Sequence, residues 1–528
     1  MSTIVGVILN RKTDIVWVVL LVAVIIVSFS GILSQPEFLS DDWSYLHMSQ
    51  HWTDILSPDS GLHYIPVFCL YLKMMFWLFG LKAIAFSIGN LVLHSLNALL
   101  LCGLARRLSG TSALGYSVGL VYATHFLINE GVFWVTGSAT MLMVCFYLLT
   151  LRSYLWALDF EDKSIRLLAP YCLGLLCIYT LESGVTVLVV CALADLFLQW
   201  EKNGRTMNRA FFKRLLFIAI RLVPISLIVV SIVLIKQIAG VRLAVAFELD
   251  LMRTYAMIVQ YFLHLWLPFE EALLLLFDHQ GSSLFWVQIL SKQSVVLHVS
   301  CLISVILPSV LILWKGSKVQ VLALLWFWCT ILALSLATLA MTSRYQVLVG
   351  VPASLLLVST LWRFLEAVLR YCRLQRPIWL KVAAACVIVP LVVYGMVKNV
   401  HKGNEYRLAS ELTARILESP LLLQTLQNLG DRSLIVLNLP DHIPVKNDLL
   451  GKAFVFRNGF RPALLLKGLI DQPGKITVAR EQGVGLRRNV WNRYRELSNT
   501  EIQMLLREGS TVLLFYDHAR QNFRPRPI

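Results

Sequence analysis

Residues 15–33 read IVWVVLLVAVIIVSFSGIL. The stretch carries no charge and is long enough, at ~1.5 Å per residue, to reach across the ~30 Å hydrocarbon core of a bilayer. It decides the fold class, because a chain that enters lipid this way must satisfy its own backbone there as helix. Arg11 and Lys12 precede it, as before a signal anchor. The run exceeds the ~7–15 residue apolar core of a secretory signal, and no small-residue cleavage site follows, so a retained span is expected.

The next residues, 34–52, read SQPEFLSDDWSYLHMSQHW and hold acids and aromatics but no Lys or Arg. Asp41 and Asp42 stand side by side just past the span. Two adjacent carboxylates at a membrane face are costly unless they take up a proton, bind a cation or pair with a base. An acid pair so placed points to chemistry on a lipid-linked substrate. Ser40-Asp41-Asp42 before Trp43 also reads as the start of a helix with a solvated N-cap. Position alone leaves both readings open.

Composition supports many spans. Of 528 residues, 57% are hydrophobic and only 15% charged, against ~25% charged in soluble domains; the mean hydropathy is +0.69. The net charge of +16 lies largely in short clusters between apolar stretches, where basic residues set topology, and does not imply nucleic acid. All cysteines fall at or before Cys386, in or beside apolar segments. Cys172 and Cys177 have neither zinc nor redox spacing, so buried thiols are expected, and the cysteine-free segment after 400 uses no disulfide.

Apolar spans are expected near 15–33, 84–105, 112–129, 134–156, 167–181, 184–200, 215–238, 295–314, 319–340, 345–366 and 379–398. Basic clusters at Arg11-Lys12, Arg106-Arg107, Lys163/Arg166, Lys202 to Arg214, Lys315/Lys318 and Arg370 to Lys381 all fall on the cytoplasmic side if 64–80 and 255–276 do not cross. Those two stretches then read as interfacial. The first carries Lys73 amid Phe68, Tyr71, Phe76, Trp77 and Phe79, which suits a helix lying in the headgroup layer. The expectation is about eleven crossings, N-terminus cytoplasmic and C-terminus outside. On this topology the outer face gathers Asp41, Asp42, His47, His51, His63, His125, Glu130, Glu182, Arg242, Arg253 and Arg344. Acids and arginines collected at one face are better explained by a polar cavity than by separate hydrated loops. His94 and Asn97, one turn apart, read as a polar contact packed inside the bundle.

From residue 400 the composition changes. Residues 401–430 read as an amphipathic helix pair punctuated by Pro420 and Gly430. SLIVLNLPD, KAFVFRNGF, KITVAR and STVLLFYD are short strand-like runs bounded by turn formers. Two domains follow: a membrane part, 1–399, and a small extracytoplasmic α/β domain, 400–528. Basic residues outnumber acids in the latter by about 19 to 12, which suits anionic headgroups or an acidic glycan acceptor as well as a plain solvated surface. No GxGxxG, P-loop or metal-ligand cluster is present in it.

The order of these pieces resembles the GT-C superfamily of polyprenyl-phosphate-dependent glycosyltransferases, which includes protein O-mannosyltransferases and aminoarabinose transferases. Five stretches carry the resemblance. They are LSDDWSYL; HYIPVF followed by LFGLKAIAFSIGNLVLHSLNALLLCGLARRLSG; NEGVFWVTGSATMLMVCFYLLTLRSY; YTLESGVTVLVVCALADL; and MTSRYQVLVGVPASLLL. Together they cover roughly residues 30–365. There are departures. Ile65 precedes Pro66 where relatives often carry a basic residue. Ser138 and Thr140 stand where relatives have a basic and an acidic one, and Leu181 replaces the Lys of a Lys-Glu pair. No repeat array of the kind borne by some O-mannosyltransferases is present.

The resemblance implies a sugar donor on a polyprenyl phosphate and an acceptor lipid, glycan or protein at the outer face of a bacterial inner membrane. Asp41 is the expected base toward the acceptor hydroxyl, with Asp42 beside it. The same pair offers oxygen ligands to a divalent cation, and the sequence leaves base and ligand open. Arg344, with Tyr345 next to it, suits the leaving phosphate, since a guanidinium holds phosphate oxygens in a fork. His63 and Arg242 are further candidates, and Glu130 and Glu182 are expected to orient the acceptor or anchor Arg344. A transporter or flippase would show inverted repeats and helices broken at mid-membrane. A non-catalytic binder of lipid-linked glycans would tolerate loss of Asp41.

Overall fold

The computed structural model describes residues 12–57, 64–160, 165–202, 209–238, 258, 295–337, 343–373, 377–443, 453–456, 459–481, 495–507, 511–518 and 520–525. Its membrane part is helical. In chain order the helices are α1 (Lys12–Ser28), α2 (Asp41–Gln50), α3 (Trp52–Leu56), α4 (Pro66–Phe79), α5 (Ala83–Ser109), α6 (Ser112–Thr124), α7 (Asn129–Phe133), α8 (Ser138–Leu158), α9 (Leu168–Thr180), α10 (Thr186–Lys202), α11 (Arg209–Ile238), α12 (Val295–Lys315), α13 (Lys318–Ala337), α14 (Ser343–Tyr371) and α15 (Pro377–Leu417). Among the described residues six helices are long and apolar enough to cross a membrane, and each apolar stretch expected to span carries a helix. The protein is a polytopic α-helical membrane protein. Exposed Leu, Val and Ile along α1, α11 and α15 leave apolar surface of the kind lipid would cover.

Residues 64–80 form α4, whose start is set by Pro66 at its first turn. Phe68, Cys69, Leu72 and Met75 are buried, while Trp77 on the other side is 82% exposed. Lys73 is half-buried against the end of α2. Its Nζ donates to the carbonyls of Gln50 (2.7 Å) and Ser49 (3.4 Å), satisfying the open end of α2. The stretch 255–276, also expected to be interfacial, lies outside the described residues apart from Ile258.

Among the described residues the bundle is broken at a corner next to the acid pair. Between α6 and α8 the chain passes through short turns and α7, leaving carbonyls without helical partners. Buried amides and an imidazole meet several of them, and one amide reaches a carbonyl in the first turn of α8. Asn90 Nδ2 donates to Val132 O (3.1 Å) and Trp134 O (2.9 Å), and Asn97 Nδ2 to Met141 O (2.9 Å). His94 Nε2 lies 2.9 Å from Ala123 O, and Asn399 Nδ2 donates to Thr124 O at 3.0 Å. His94 and Asn97, expected as a packed polar contact, each bind a backbone carbonyl of a neighbouring helix. Irregular backbone inside a bundle is tolerated where protein groups satisfy it. Gly137 closes the corner: a Cβ there would stand 2.5 Å from the carbonyl oxygen of Gly131.

The 400–528 segment holds a five-stranded sheet among the described residues: β1 (Ser433–Leu437), β2 (Ile476–Glu481), β3 (Arg495–Leu497), β4 (Thr511–Asp517) and β5 (Asn522–Pro525), in order β3-β2-β1-β4-β5. All pairings are parallel except β4–β5. Three further helices, α16 (Pro420–Gln427), α17 (Phe460–Leu466) and α18 (Asn499–Arg507), accompany it. Alternation along β1 divides the core: Leu434 and Val436 join the continuous core of the bundle, whereas Ile435 and Leu437 pack with Ile502 of α18. The expected boundary at 399/400 falls inside α15, so the last membrane helix runs on into the first helix of the expected pair. Among its described residues KAFVFRNGF, expected as a strand, makes a single bridge, His442 to Phe454, before α17.

Candidate functional site

The acid pair begins α2, as the N-cap reading expects, but Ser40 makes no side-chain cap bond. Asp42 is 2% exposed rather than solvated. Its Oδ2 accepts from Leu39 N (3.0 Å), its Oδ1 accepts from Thr136 N (2.7 Å), and the Thr136 hydroxyl donates to Oδ1 as well. Trp134 Nε1 donates to Leu39 O at 3.3 Å, so the turn after the first span and the turn after α7 hold each other. Burial, against these three donors, pushes the Asp42 carboxyl up to about 7; the charge of Asp41 adds a smaller push in the same direction.

Asp41 is half-buried, and Ser40 Oγ lies 3.5 Å from its Oδ1. The two carboxylates therefore differ: one is sunk among neutral donors, its neighbour reaches the surface. The Asp42 pKa is raised for burial more than for repulsion from Asp41. Donors aimed at both oxygens of Asp42 do not fit a metal ligand. Among the described residues no three His, Cys, Asp or Glu side chains come together to hold a metal ion.

Glu130 lies in α7 and is buried, four residues before the Trp134 turn that meets the acid pair. The fold thus brings the second-loop acid to the same corner as Asp42. Glu182 is half-buried, and its Oε1 accepts from Tyr64 N at 3.2 Å. It meets the entry to α4, which packs beside α2. Arg344 and Tyr345 start α14, but their side chains lie outside the described residues, as do His63, Arg242 and Arg253. His47 and His51 stack edge to face 5.7 Å apart, and burial lowers the His47 pKa. Ser138 and Thr140, where relatives carry charges, are buried, and Ser138 Oγ donates to Val135 O at 2.6 Å.

Sequence reasoning passed over Thr136, which supplies two of the three donors to Asp42 across 94 positions. Its only local signal is a small hydroxyl residue in the WVTGS turn before α8.

No protein-family model matches the chain. Curated relatives do: the mouse and human O-mannosyl-transferases TMTC2 are 27% identical over 191 residues, 34% of this chain. Human O-mannosyl-transferase TMTC1 is 29% identical over 161 residues, 29% of this chain. The matched part spans only about a quarter or less of those relatives' length. Among solved structures, ArnT from Cupriavidus metallidurans in the apo state aligns over 96% of this chain and 94% of its own at 12% identity and a TM-score of 0.45. AglB from Archaeoglobus fulgidus, an oligosaccharyltransferase in complex with an inhibitory peptide and a dolichol-phosphate, aligns over 81% and 63% at 12% identity and 0.41. Over about a third of its length, then, this polytopic chain is similar to protein O-mannosyl-transferases, one of the groups its sequence resembles.

Proposed function

We propose that this chain is a GT-C-type membrane glycosyltransferase that moves a sugar from a polyprenyl-phosphate donor to an acceptor hydroxyl. The observation that carries the reading is the acid turn. Asp42 is buried and satisfied by Leu39 and Thr136, which pins the turn, while Asp41 next to it reaches the surface. A base needs such fixed placement toward the proton it takes. Similarity to named O-mannosyl-transferases supports the reaction class.

In this reading Asp41 accepts the proton of the acceptor hydroxyl as that oxygen bonds to the anomeric carbon. The bond from that carbon to the donor phosphate breaks, and the polyprenyl phosphate leaves with the electron pair. Its charge falls to Arg344 at the start of α14, with Tyr345, His63 and Arg242 as further phosphate or sugar contacts. Glu130 and Glu182 orient the acceptor. The reading places residues 1–399 as the transferase bundle in a bacterial inner membrane, N-terminus cytoplasmic, and 400–528 as an extracytoplasmic domain.

The test is sugar transfer from a panel of radiolabelled polyprenyl-phosphate monosaccharides, in membranes holding equal folded wild type or Asp41→Asn. Transfer by the wild type that falls by about 10²-fold or more in Asp41→Asn, with donor still bound, supports Asp41 as base. Equal transfer in both removes Asp41 from the chemistry, and a wild type inert toward every donor removes the glycosyltransferase reading.

A further inference from the structure

Ser40, directly before the acid pair, has φ +45° and ψ −117°. A residue with a Cβ is strained in such a conformation and keeps it only where the surroundings impose it. Ser40 is fully buried, and what surrounds it comes from the far end of the chain. Its N–H donates to Val455 O at 2.9 Å. Gly459 lies beneath its carbonyl: a Cβ on Gly459 would stand 1.9 Å from Ser40 O and 3.2 Å from Trp43 Cβ. Only a residue without a side chain permits that approach.

Three residues upstream the same segment takes a second grip. Lys467, just after α17, pairs with Glu37 at 2.6 Å, and Glu37 is nearly buried. The Lys467 ammonium also stands 5.7 Å from the Trp43 ring. Ser410 Oγ, in the extension of α15, accepts from Glu37 N (2.8 Å) and donates to Glu37 O (2.6 Å). A buried ion pair is weak evidence of added stability, since desolvation offsets much of its attraction. An apolar pair would hold two surfaces together as well. A strained residue, a glycine that only close approach requires, and a directed ion pair, all bearing on residues 37–43, fix a direction instead.

We propose that residues 453–456 and 459–467 clamp the acid turn, and that Lys467 and Gly459 are positioning residues that aim the Asp41 carboxylate. The proposal rests on the reading of Asp41 as the base. It gives the sheet-bearing segment a part in the chemistry although none of its side chains need touch the donor.

The test uses the full chain in detergent. Lys467→Met alone would strand the Glu37 charge, so the double variant Glu37→Gln/Lys467→Met removes both charges together. Gly459→Ala strikes the second grip, and Lys467→Arg keeps the ion pair. Amide hydrogen exchange of residues 37–43 reads the clamp without activity, and transfer kinetics read its effect. The double variant and Gly459→Ala should speed exchange there by about tenfold or more and lower kcat by about 10- to 100-fold, with KM within about twofold. Lys467→Arg should leave both near the wild-type values. Wild-type exchange in the double variant and Gly459→Ala overturns the clamp, as does a kcat within twofold of wild type despite faster exchange. A wild type that transfers nothing while exchange rises in the variants leaves the clamp standing and removes only the catalytic reading it serves.

Discussion

Two buried aspartates in this molecule are satisfied in opposite ways. Asp195 on α10 has no exposed side-chain surface and meets a cation: Arg221 of α11 lies 2.9 Å from its Oδ2, and the Tyr154 hydroxyl donates to the same oxygen at 2.8 Å. Asp42 meets only neutral donors, two N–H groups and a hydroxyl. The first arrangement balances charge with charge and ties α8, α10 and α11 together. The second leaves a carboxylate whose ionisation burial opposes, beside another carboxylate at the surface. A charge-paired aspartate at an interhelical contact serves packing. A carboxyl held by neutral groups at a sharp turn has a protonation state that pH can change.

The largest effect should come from unbalancing the first site. Arg221→Met leaves the Asp195 carboxylate buried without its cation, at a cost of about 3–5 kcal/mol. Thermal melting in detergent should show it as a large fall in Tm or loss of folded protein. A Tm within a degree or two of wild type would erase the distinction between the two aspartates.

Thr136→Val probes the other side at smaller cost. It removes the hydroxyl but keeps the N–H, so Asp42 loses one donor of three, worth about 1–3 kcal/mol while the carboxyl is ionised. That hydroxyl bond holds the Asp42 pKa down, so its loss should raise the pKa further. The deficit should therefore be largest well above pH 7, shrink as pH falls toward 7, and be nearly gone about one unit below it. A deficit equal above and below pH 7 would mean Asp42 does not titrate in this range.

The pH profile of the unmodified chain follows from the same group. Its carboxyl moves from an ordinary 3.8 up to about 7 in the folded state. Between those values the folded protein binds more protons than the unfolded one, so Asp42 favours folding at low pH and loses that contribution as pH rises toward 7. The slope from this one group approaches but does not exceed ~1.4 kcal/mol per pH unit. Melting of Asp42→Asn and wild type across about pH 5 to 8 should give a flatter profile in the variant. Parallel profiles would show that burial does not govern this carboxyl.

Much of the bundle was legible because its signal is local. Uncharged runs announce helices, and basic clusters divide them. The strands SLIVL, ITVARE and TVLLFYD announce themselves by β-branched and aromatic content between turn formers. The arms β3 and β5 are short and polar, so nothing in their composition marked them. The continuation of α15 past residue 399 was hidden by a change from apolar to amphipathic sequence, which alters what a helix faces and not whether it is one. At the site, the acid pair and Glu130 could be singled out as carboxylates in an apolar chain. Their partners could not. Thr136, Gly459, Lys467 and Ser410 matter only because the fold returns them to residues 37–42 from far along the chain. Nor could sequence tell which of two adjacent aspartates would be buried, since one residue turns a helical side chain by ~100°.

The smallest effect belongs to the other end of α2. The acid turn starts that helix among neutral donors, whereas its last carbonyls, at Ser49 and Gln50, face the ammonium of Lys73. A cation at a helix C-terminus complements the dipole there and is worth about 0.3–1 kcal/mol. Lys73→Met keeps most of the side chain's apolar length and removes the charge, so melting should fall by that amount, while Lys73→Arg should lose less. If the acid turn is clamped from its own side, by Thr136 and by the segment around Lys467, freeing the far end of α2 should leave hydrogen exchange at residues 37–43 unchanged. Faster exchange at the turn in Lys73→Met would show instead that α2 moves as one lever, with the aim of Asp41 set in part from Gln50.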